Sequence, residues 1–260
     1  MGNLLLKLLG IRAASWAEVV ERARRAKEEA TEEAAPADDV DPLDLLSAFT
    51  VVDKRSVVNA DRPRRGRSKG RRDLSGVRAV LGHQTATWAL RPSHPRLLGV
   101  PAHAHIGRER DGEVVITLLH DVDQYLYHAG PGNSWSIGVE VQARAAGLLG
   151  DPSTFWRSAK EKLKGKKYAD LVHEAPDDVV LAFKALVRYY AADMARRGHP
   201  LLATATHRQT SRSLVSDPGE KLARALNDVH QELELPEDWS QRTWGKGRPQ
   251  PDSWTGLANG

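Results

Sequence analysis

The sequence predicts a mixed α/β fold in which a central, mostly mixed β-sheet is flanked by helices. Two observations predict it. From Val77 onward, short runs rich in β-branched residues alternate with helical patterns. The chain has 260 residues, of which 40% are hydrophobic and 28% charged, and this fits one large globular domain with appendages. No apolar run approaches the roughly 20 residues that span a membrane.

The predicted strands are short runs bounded by turn residues. Arg110-Asp111-Gly112 is a turn signal that joins two of them into a hairpin. In chain order the strands are Val77–Leu81, Ala102–Gly107, Glu113–Leu118, Ser136–Val141 and Leu201–Thr206.

Two helices are predicted in the second half of the chain. One begins at Asp177, whose carboxylate suits the positive end of a helix, and it ends before Gly198. The other follows Pro218-Gly219 and runs to about His230. These elements assign residues 56–235 to the main domain, and residues 236–260, which are rich in Pro, Gly and Trp, to a tail packed on it.

Residues 1–55 are predicted to form an N-terminal helical appendage and linker. Ser15 and Glu18 have the spacing of a capping box, and the stretch that follows to Glu33 is rich in Ala, Glu and Arg. Two interpretations stay open: a helix packed on the main domain, or a docking helix for a membrane or for delivery machinery. The leucine-rich N-terminus lacks the basic region of a signal peptide, so we expect synthesis in the cytoplasm without a cleaved signal.

Basic residues are concentrated between Arg62 and Arg72, where seven of eleven residues are Lys or Arg. Because Pro63, Gly66 and Gly70 interrupt this segment, we expect a loop, either simply solvated or attracted to an anionic polymer. The net charge of +4 agrees with an anionic partner. Aromatic residues that could stack on bases are missing from the segment, so no nucleic-acid partner is expected.

Three residues have side chains suited to zinc. His83 and His207 each follow a predicted strand, and Asp217 lies ten residues after His207. The chain has no cysteine, so a zinc ion would have to use His, Asp or Glu. Two imidazoles and one carboxylate leave the fourth position of Zn²⁺ open for water, which is typical of a catalytic site.

Tryptophans and further histidines are weaker candidates. His103 and His105 lie on one face of a predicted strand, where packing or substrate contact is favoured over metal binding. Trp88, Trp135 and Trp156 are candidates to stack on sugar rings, with core packing as the alternative.

From about Ser56 to about His230, the chain resembles the zinc-dependent N-acetylmuramoyl-L-alanine amidases. This family includes phage endolysins, bacterial wall-recycling amidases and animal peptidoglycan recognition proteins. Four segments carry the resemblance in the family's order: Val80–Ala86, His105–Gly112, Tyr127–Gly130 followed by Asn133 and Ser136–Glu140, and His207–Gly219.

The resemblance implies a zinc cleft at one rim of the sheet, with Zn²⁺ held by His83, His207 and Asp217. It implies that Glu140 acts as general base and then as general acid. One departure is Val215, which stands where many members have a lysine two residues before the last ligand. Arg212 and His128 are the candidates to replace that lysine. The candidates for substrate contact or for orienting the site are His105, His128, Asn133 and Arg212.

The activity implied is hydrolysis of the amide bond between N-acetylmuramic acid and L-alanine in peptidoglycan. We expect a lytic endolysin or a delivered wall-degrading effector that acts on the cell wall after release. Two alternatives stay open: a peptidoglycan-binding module without turnover, and a cytoplasmic amidase that recycles muropeptides. The expected partners are peptidoglycan or muropeptides, with membrane or delivery-machinery contact through the N-terminal helices.

Overall fold

The computed structural model describes residues 41–60, 68–87 and 89–255. The predicted capping box at Ser15, residues 62–67 of the basic stretch, and Trp88 therefore lie outside the described residues. None of the helices in the described ranges combines the length and the apolar character that a bilayer crossing requires.

A β-sheet forms the centre of the domain, as the sequence predicts, and it has six strands. Its strand order is β1-β5-β4-β7-β3-β8. Strands β4, β7, β3 and β8 are parallel to one another, whereas β5 is antiparallel to β4 and parallel to β1. The bounds are β1 Thr50–Asp53, β3 Ala79–Gln84, β4 Ala104–Arg108, β5 Val114–Leu118, β7 Ser136–Val141 and β8 Ala203–Thr206.

Two strands pair outside this sheet. β2 (Ser68–Arg71) and β6 (Gln124–Leu126) form an antiparallel pair. The basic stretch that was predicted to be a loop therefore ends in a strand. Arg72, its last residue, donates hydrogen bonds to the backbone carbonyls of Val122, Asn133 and Ser136. These bonds make Arg72 a structural residue.

Five α-helices lie in the described ranges. They are α1 Arg55–Ala60, α2 Ala159–Leu163, α3 Asp177–Arg196, α4 Glu220–Glu232 and α5 Asp252–Thr255. The long helix α3 begins at the predicted residue and ends two residues before Gly198, which has φ +77°. Strand β1 belongs to the central sheet and Leu46 is buried in its core, so residues assigned to the appendage contribute to the main domain.

The main core lies between one face of the sheet and helices α3 and α4. Val80, Val139 and Ile106 point into it from neighbouring strands and are fully buried. Phe183 of α3 and Leu226 of α4 close over this face. A Cβ atom on Gly82 would lie 2.8 Å from Leu226 Cδ1 and 3.1 Å from Phe183 Cζ, so the helices pack directly against the backbone of β3.

On the opposite face, Ala79 and Leu81 of β3 are covered by Trp239 of the C-terminal segment. Trp135 packs against Trp239 and Trp244, with ring centroids 5.3 and 4.3 Å apart. These three rings line a depression of about 310 Å³. Because Trp135 precedes β7, the depression lies at the amino ends of the parallel strands.

Alanine at Gly82 should destabilise the fold. The added Cβ would overlap Leu226, and such overpacking costs about 1–3 kcal/mol of unfolding free energy. Urea denaturation measures it. Gly76→Ala is the matched control, since its Cβ would meet nothing nearer than Ser134 O at 3.8 Å. An equal effect of the two substitutions would contradict close packing of the helices on β3.

Candidate metal centre

His83, His207 and Asp217 converge on one point at the carboxyl ends of β3 and β8. Their ligating atoms all lie within 4.8 Å of one another. His83 Nδ1 lies 2.8 Å from His207 Nδ1, and His207 Nδ1 lies 2.9 Å from Asp217 Oδ2. The structure thus brings together the three ligands proposed from the sequence.

Strand pairing positions the two histidines. His83 is the second-last residue of β3, and His207 directly follows β8, which is parallel to β3 and hydrogen-bonded to it. The loop after His207 then folds back, because Arg208 N–H donates to Asp217 O at 2.9 Å and Asp217 N–H donates to Leu214 O at 3.1 Å. This return places Asp217 beside His207.

Two neighbours orient the ligands. His83 Nε2 lies 2.9 Å from His128 Nδ1, and donation by its N–H there would leave His83 Nδ1 unprotonated and free to bind a metal. The Gln84 backbone N–H donates to Asp217 Oδ1 at 2.8 Å, which leaves Oδ2 facing His207.

The Gln84 side chain also connects two loops to β3. It accepts from Ala145 N–H and donates to Ser216 O.

The donor set fits a divalent cation such as Zn²⁺. His207 Nδ1 lies within hydrogen-bond distance of both His83 Nδ1 and Asp217 Oδ2, and a single proton on His207 Nδ1 cannot serve both neighbours. A cation among the three atoms would satisfy all of them. Burial lowers the pKa of His83 well below its usual value, with a further contribution from His207 and His128, so this imidazole is neutral, as metal binding requires.

Glu140 lies beside His83 on the next strand. The two residues are partners in the β3–β7 register, so their side chains are on the same face of the sheet. Part of the residue remains accessible, but Oε2 is fully buried and has no hydrogen-bond partner among the described residues. Burial, and secondarily the Asp217 carboxylate, raises the pKa of Glu140 to about 8.

Polar side chains continue across the same face of the sheet beyond His83 and Glu140, and we call this set the polar row. His105 of β4 pairs with Glu140, and Thr117 of β5 pairs with His105. Both residues are fully buried, and neither the His105 ring nitrogens nor the Thr117 hydroxyl has a hydrogen-bond partner of good geometry in the described part of the chain. Burial lowers the pKa of His105 to about 3, although the nearby Leu90 backbone opposes this.

The other candidates have different environments. Asn133 Oδ1 accepts from the backbone N–H groups of His128 and Ala129, so it shapes the loop that holds His128. Arg212 is exposed on the loop between His207 and Asp217. Val215 contributes its carbonyl, which accepts from Arg208 Nη1 at 2.6 Å.

One contribution to the site was not predicted from the sequence. The backbone N–H of Gln84 carries no sequence signal, although the residue follows a proposed ligand directly. Trp156 lines a shallow depression together with Gln84, Leu214 and Asp217. It was proposed for sugar stacking, and the structure places it at the metal centre.

His128→Ala should weaken zinc binding about 10- to 100-fold, because the partner that orients His83 is lost. Competition with a chromophoric chelator measures the affinity. Gly138→Ala should act in the same direction, since its Cβ would lie 2.5 Å from His128 Nδ1. His230→Ala on α4 is the control. Unchanged affinity in both His128→Ala and Gly138→Ala would exclude an orienting role for His128.

The raised pKa of Glu140 predicts a fall in stability with pH in chelator-treated protein. Between the ordinary pKa of 4.5 and the folded pKa of about 8, the folded state binds more protons than the unfolded state, so stability falls as pH rises. Buried histidines with a lowered pKa have the opposite effect, but only below about 6.5. From pH 6.5 to 8 the unfolding free energy should therefore fall by about 1–2 kcal/mol.

Urea denaturation across this pH interval makes the measurement, and Glu140→Gln is the comparison because it cannot ionise. The difference between the two proteins isolates Glu140 from all other titrating groups. An equal decline in both would mean that Glu140 titrates normally.

No protein-family model and no curated protein matches the chain. Among solved structures, it is similar to the endolysin amidase LysCS from Clostridium intestinale (12% identity, 72% of this chain and 96% of that one, TM-score 0.42). It is also similar to Drosophila PGRP-LB (17%, 70% and 93%, 0.39) and to AmpDh3 from Pseudomonas aeruginosa, solved with an anhydromuramic pentapeptide (19%, 67% and 64%, 0.37).

Proposed function

We propose that this protein is a zinc-dependent amidase that cleaves the bond between N-acetylmuramic acid and L-alanine in peptidoglycan. The observation that carries the proposal is the convergence of His83, His207 and Asp217 beside the buried carboxyl group of Glu140. The order of the sequence motifs supports the substrate class, and the convergence of these side chains supports metal-assisted hydrolysis.

The chain's own residues have distinct roles in this proposal. His83, His207 and Asp217 would hold Zn²⁺, which would lower the pKa of a bound water and polarise the scissile carbonyl. Glu140 takes the proton from the attacking water and later gives it to the leaving amine of L-alanine. Without a cation, the pKa of the Glu140 carboxyl group is about 8, which is close to neutral pH. A group with such a pKa can both accept a proton and donate it at that pH. His128 and Gln84 keep His83 and Asp217 in position.

Stabilisation of the oxyanion falls to a residue other than Val215. On the loop that carries the last ligand, Arg208 donates to the carbonyls of Val215 and Pro249 and is thereby fixed. Arg212 is exposed and is the remaining cation of that loop, so we assign it contact with the substrate.

Burial of Glu140 favours an enzyme over a binding module. Glu140 Oε2 is buried without a hydrogen-bond partner in the described part of the chain, and an unsatisfied group of this kind costs on the order of 1–3 kcal/mol of folding free energy. Binding alone would not require it. The same residue serves a lytic enzyme and a recycling enzyme equally well. We place the chain among lytic endolysins or delivered effectors because its basic character suits an anionic wall.

Digestion of purified peptidoglycan tests the proposal. Zinc-loaded protein should release stem peptides with L-alanine at the amino end, as identified by mass spectrometry. Chelation should abolish release and added zinc should restore it. Glu140→Gln should lower the rate by about 10²–10⁴-fold while zinc content stays normal, because only proton transfer is lost.

Glu234→Gln is the matched control, since this exposed carboxylate lies after α4. It should leave the rate unchanged. A zinc-loaded protein that binds peptidoglycan but releases no peptide would refute the enzyme and favour the binding module. Release that persists unchanged in Glu140→Gln would refute the assigned base.

A further inference from the structure

A lysine-rich segment lies between β7 and α3, beside the metal centre. We call residues 156–167 the basic arm. It contains α2, and its five lysines are all exposed. They are Lys160, Lys162, Lys164, Lys166 and Lys167. Five positive charges within eight residues make this the most concentrated run of cations in the described part of the chain.

The arm's single acidic residue does not offset these charges. Both oxygens of Glu161 accept from the Arg144 guanidinium at 2.7 Å, and one also accepts from Ser158. Arg144 lowers the pKa of Glu161 to about 2, so its charge is permanent and is neutralised by Arg144. Among the described residues, none of the five lysines forms an ion pair.

Packing fixes the arm at its base. Phe155 lies against Tyr168, with ring centroids 5.1 Å apart, and the Arg144 guanidinium lies 5.2 Å from the Phe155 ring centroid. Ser158 and Glu161 form a capping box that starts α2. Anchoring at both ends presents the lysines on a defined surface.

Large apolar side chains accompany the lysines. Leu163 is 89% exposed between Lys162 and Lys164, and Trp156 is 42% exposed. Of the eight exposed large hydrophobic residues in the described ranges, these two and Leu149 lie within residues 149–163. The negative end of the α2 dipole stabilises lysines near the carboxyl end of the helix, which accounts for part of the lysine content. The helix dipole does not account for an exposed leucine.

We propose that the basic arm binds an anionic membrane surface. Lysines attract acidic headgroups, while exposed leucine and tryptophan enter the interface, which is the combination typical of interfacial protein segments. A soluble polyanion would match the lysines but would leave Leu163 in water. Since Trp156 also lines the depression at Asp217, the bound arm holds the metal centre next to the bilayer.

Vesicle co-sedimentation of the full chain tests the proposal. Wild type should bind vesicles of phosphatidylglycerol and phosphatidylcholine, but not pure phosphatidylcholine, and added salt should release it. Replacing Lys160, Lys162, Lys164 and Lys167 by Gln should weaken partitioning at least about a hundredfold, since each lysine near an anionic surface contributes roughly fivefold. Leu163→Ser should weaken it about tenfold.

A control variant removes the same charge elsewhere. It carries four exposed cations changed to Gln: Arg96, Arg110, Lys246 and Arg248. This variant should partition at least tenfold more strongly than the four-lysine variant. Glu140→Gln should bind vesicles like wild type, so failure of the proposed enzymatic function and failure of membrane binding are separate results.

Three outcomes would overturn the proposal. Equal partitioning of wild type and the four-lysine variant would place membrane contact outside the arm. An unchanged Leu163→Ser variant, together with equal affinity for heparin and vesicles, would make the arm a site for soluble polyanions. Equal loss in both charge variants would reduce the effect to net charge.

Discussion

The register of β3 against its two parallel neighbours is the constraint on which the site depends. β7 and β8 flank β3 and align Leu81 with Gly138 and Ala205. A slip of one residue would turn His83 toward Phe183 and Leu226. It would also move Gly82 to the other face of the sheet, where His83 and Glu140 now lie and which we call the metal face. The tight contact of both helices with the Gly82 backbone opposes such a slip, because no other residue of β3 is small enough to lie there. Ligand geometry at one edge is thus secured by apolar packing on the opposite face.

The polar row on the metal face is costly to the fold. His83, Glu140 and His105 are adjacent on three strands, and burial shifts the pKa of each toward its neutral form. Glu140 Oε2 and the His105 ring nitrogens lack a hydrogen-bond partner within the described ranges, and this adds a desolvation cost. A cation bound by the folded state alone would recover part of this cost, and the recovery grows with the concentration of free metal. Stability and metal occupancy are therefore linked, as in sites where function takes precedence over folding.

Much of the fold follows from the sequence because its central strands are buried on both faces. Ser136–Val141 has the predicted bounds, and the helix beginning at Asp177 does too, since continuous apolar runs and an apolar stripe leave little ambiguity. β1 and β2 were not predicted. β1 has four residues with exposed ends, and β2 consists of Ser, Lys, Gly and Arg, so their pairing is set by distant strands.

The site was only partly predictable for the same reason. The ligands occur at strand ends, which a sequence shows. The pairing of His83 with Glu140, and of Glu140 with His105, is a matter of register between strands far apart in sequence. The hydrogen bond from Gln84 to Asp217 uses a backbone group, which every residue but proline has. The positions of these groups in the site depend on how distant segments pair, and not on the residue types that a sequence shows.

The C-terminal segment explains how an irregular loop holds a ligand in place. The Gln209 side chain donates to the carbonyls of Trp239 and Arg242, and Gln250 donates to Gln209. Arg208 donates to Pro249 O and lies over the Trp254 ring. Arg208 and Gln209 are the two residues after His207, so their contacts with the C-terminal segment hold the outer side of the ligand loop. On its inner side, the loop is held by the hydrogen bond between Gln84 and Asp217. Arg208 also donates to the Val215 carbonyl, so Val215 helps to hold the loop through its backbone. This structural role does not depend on the side chain, which is therefore free to differ from lysine.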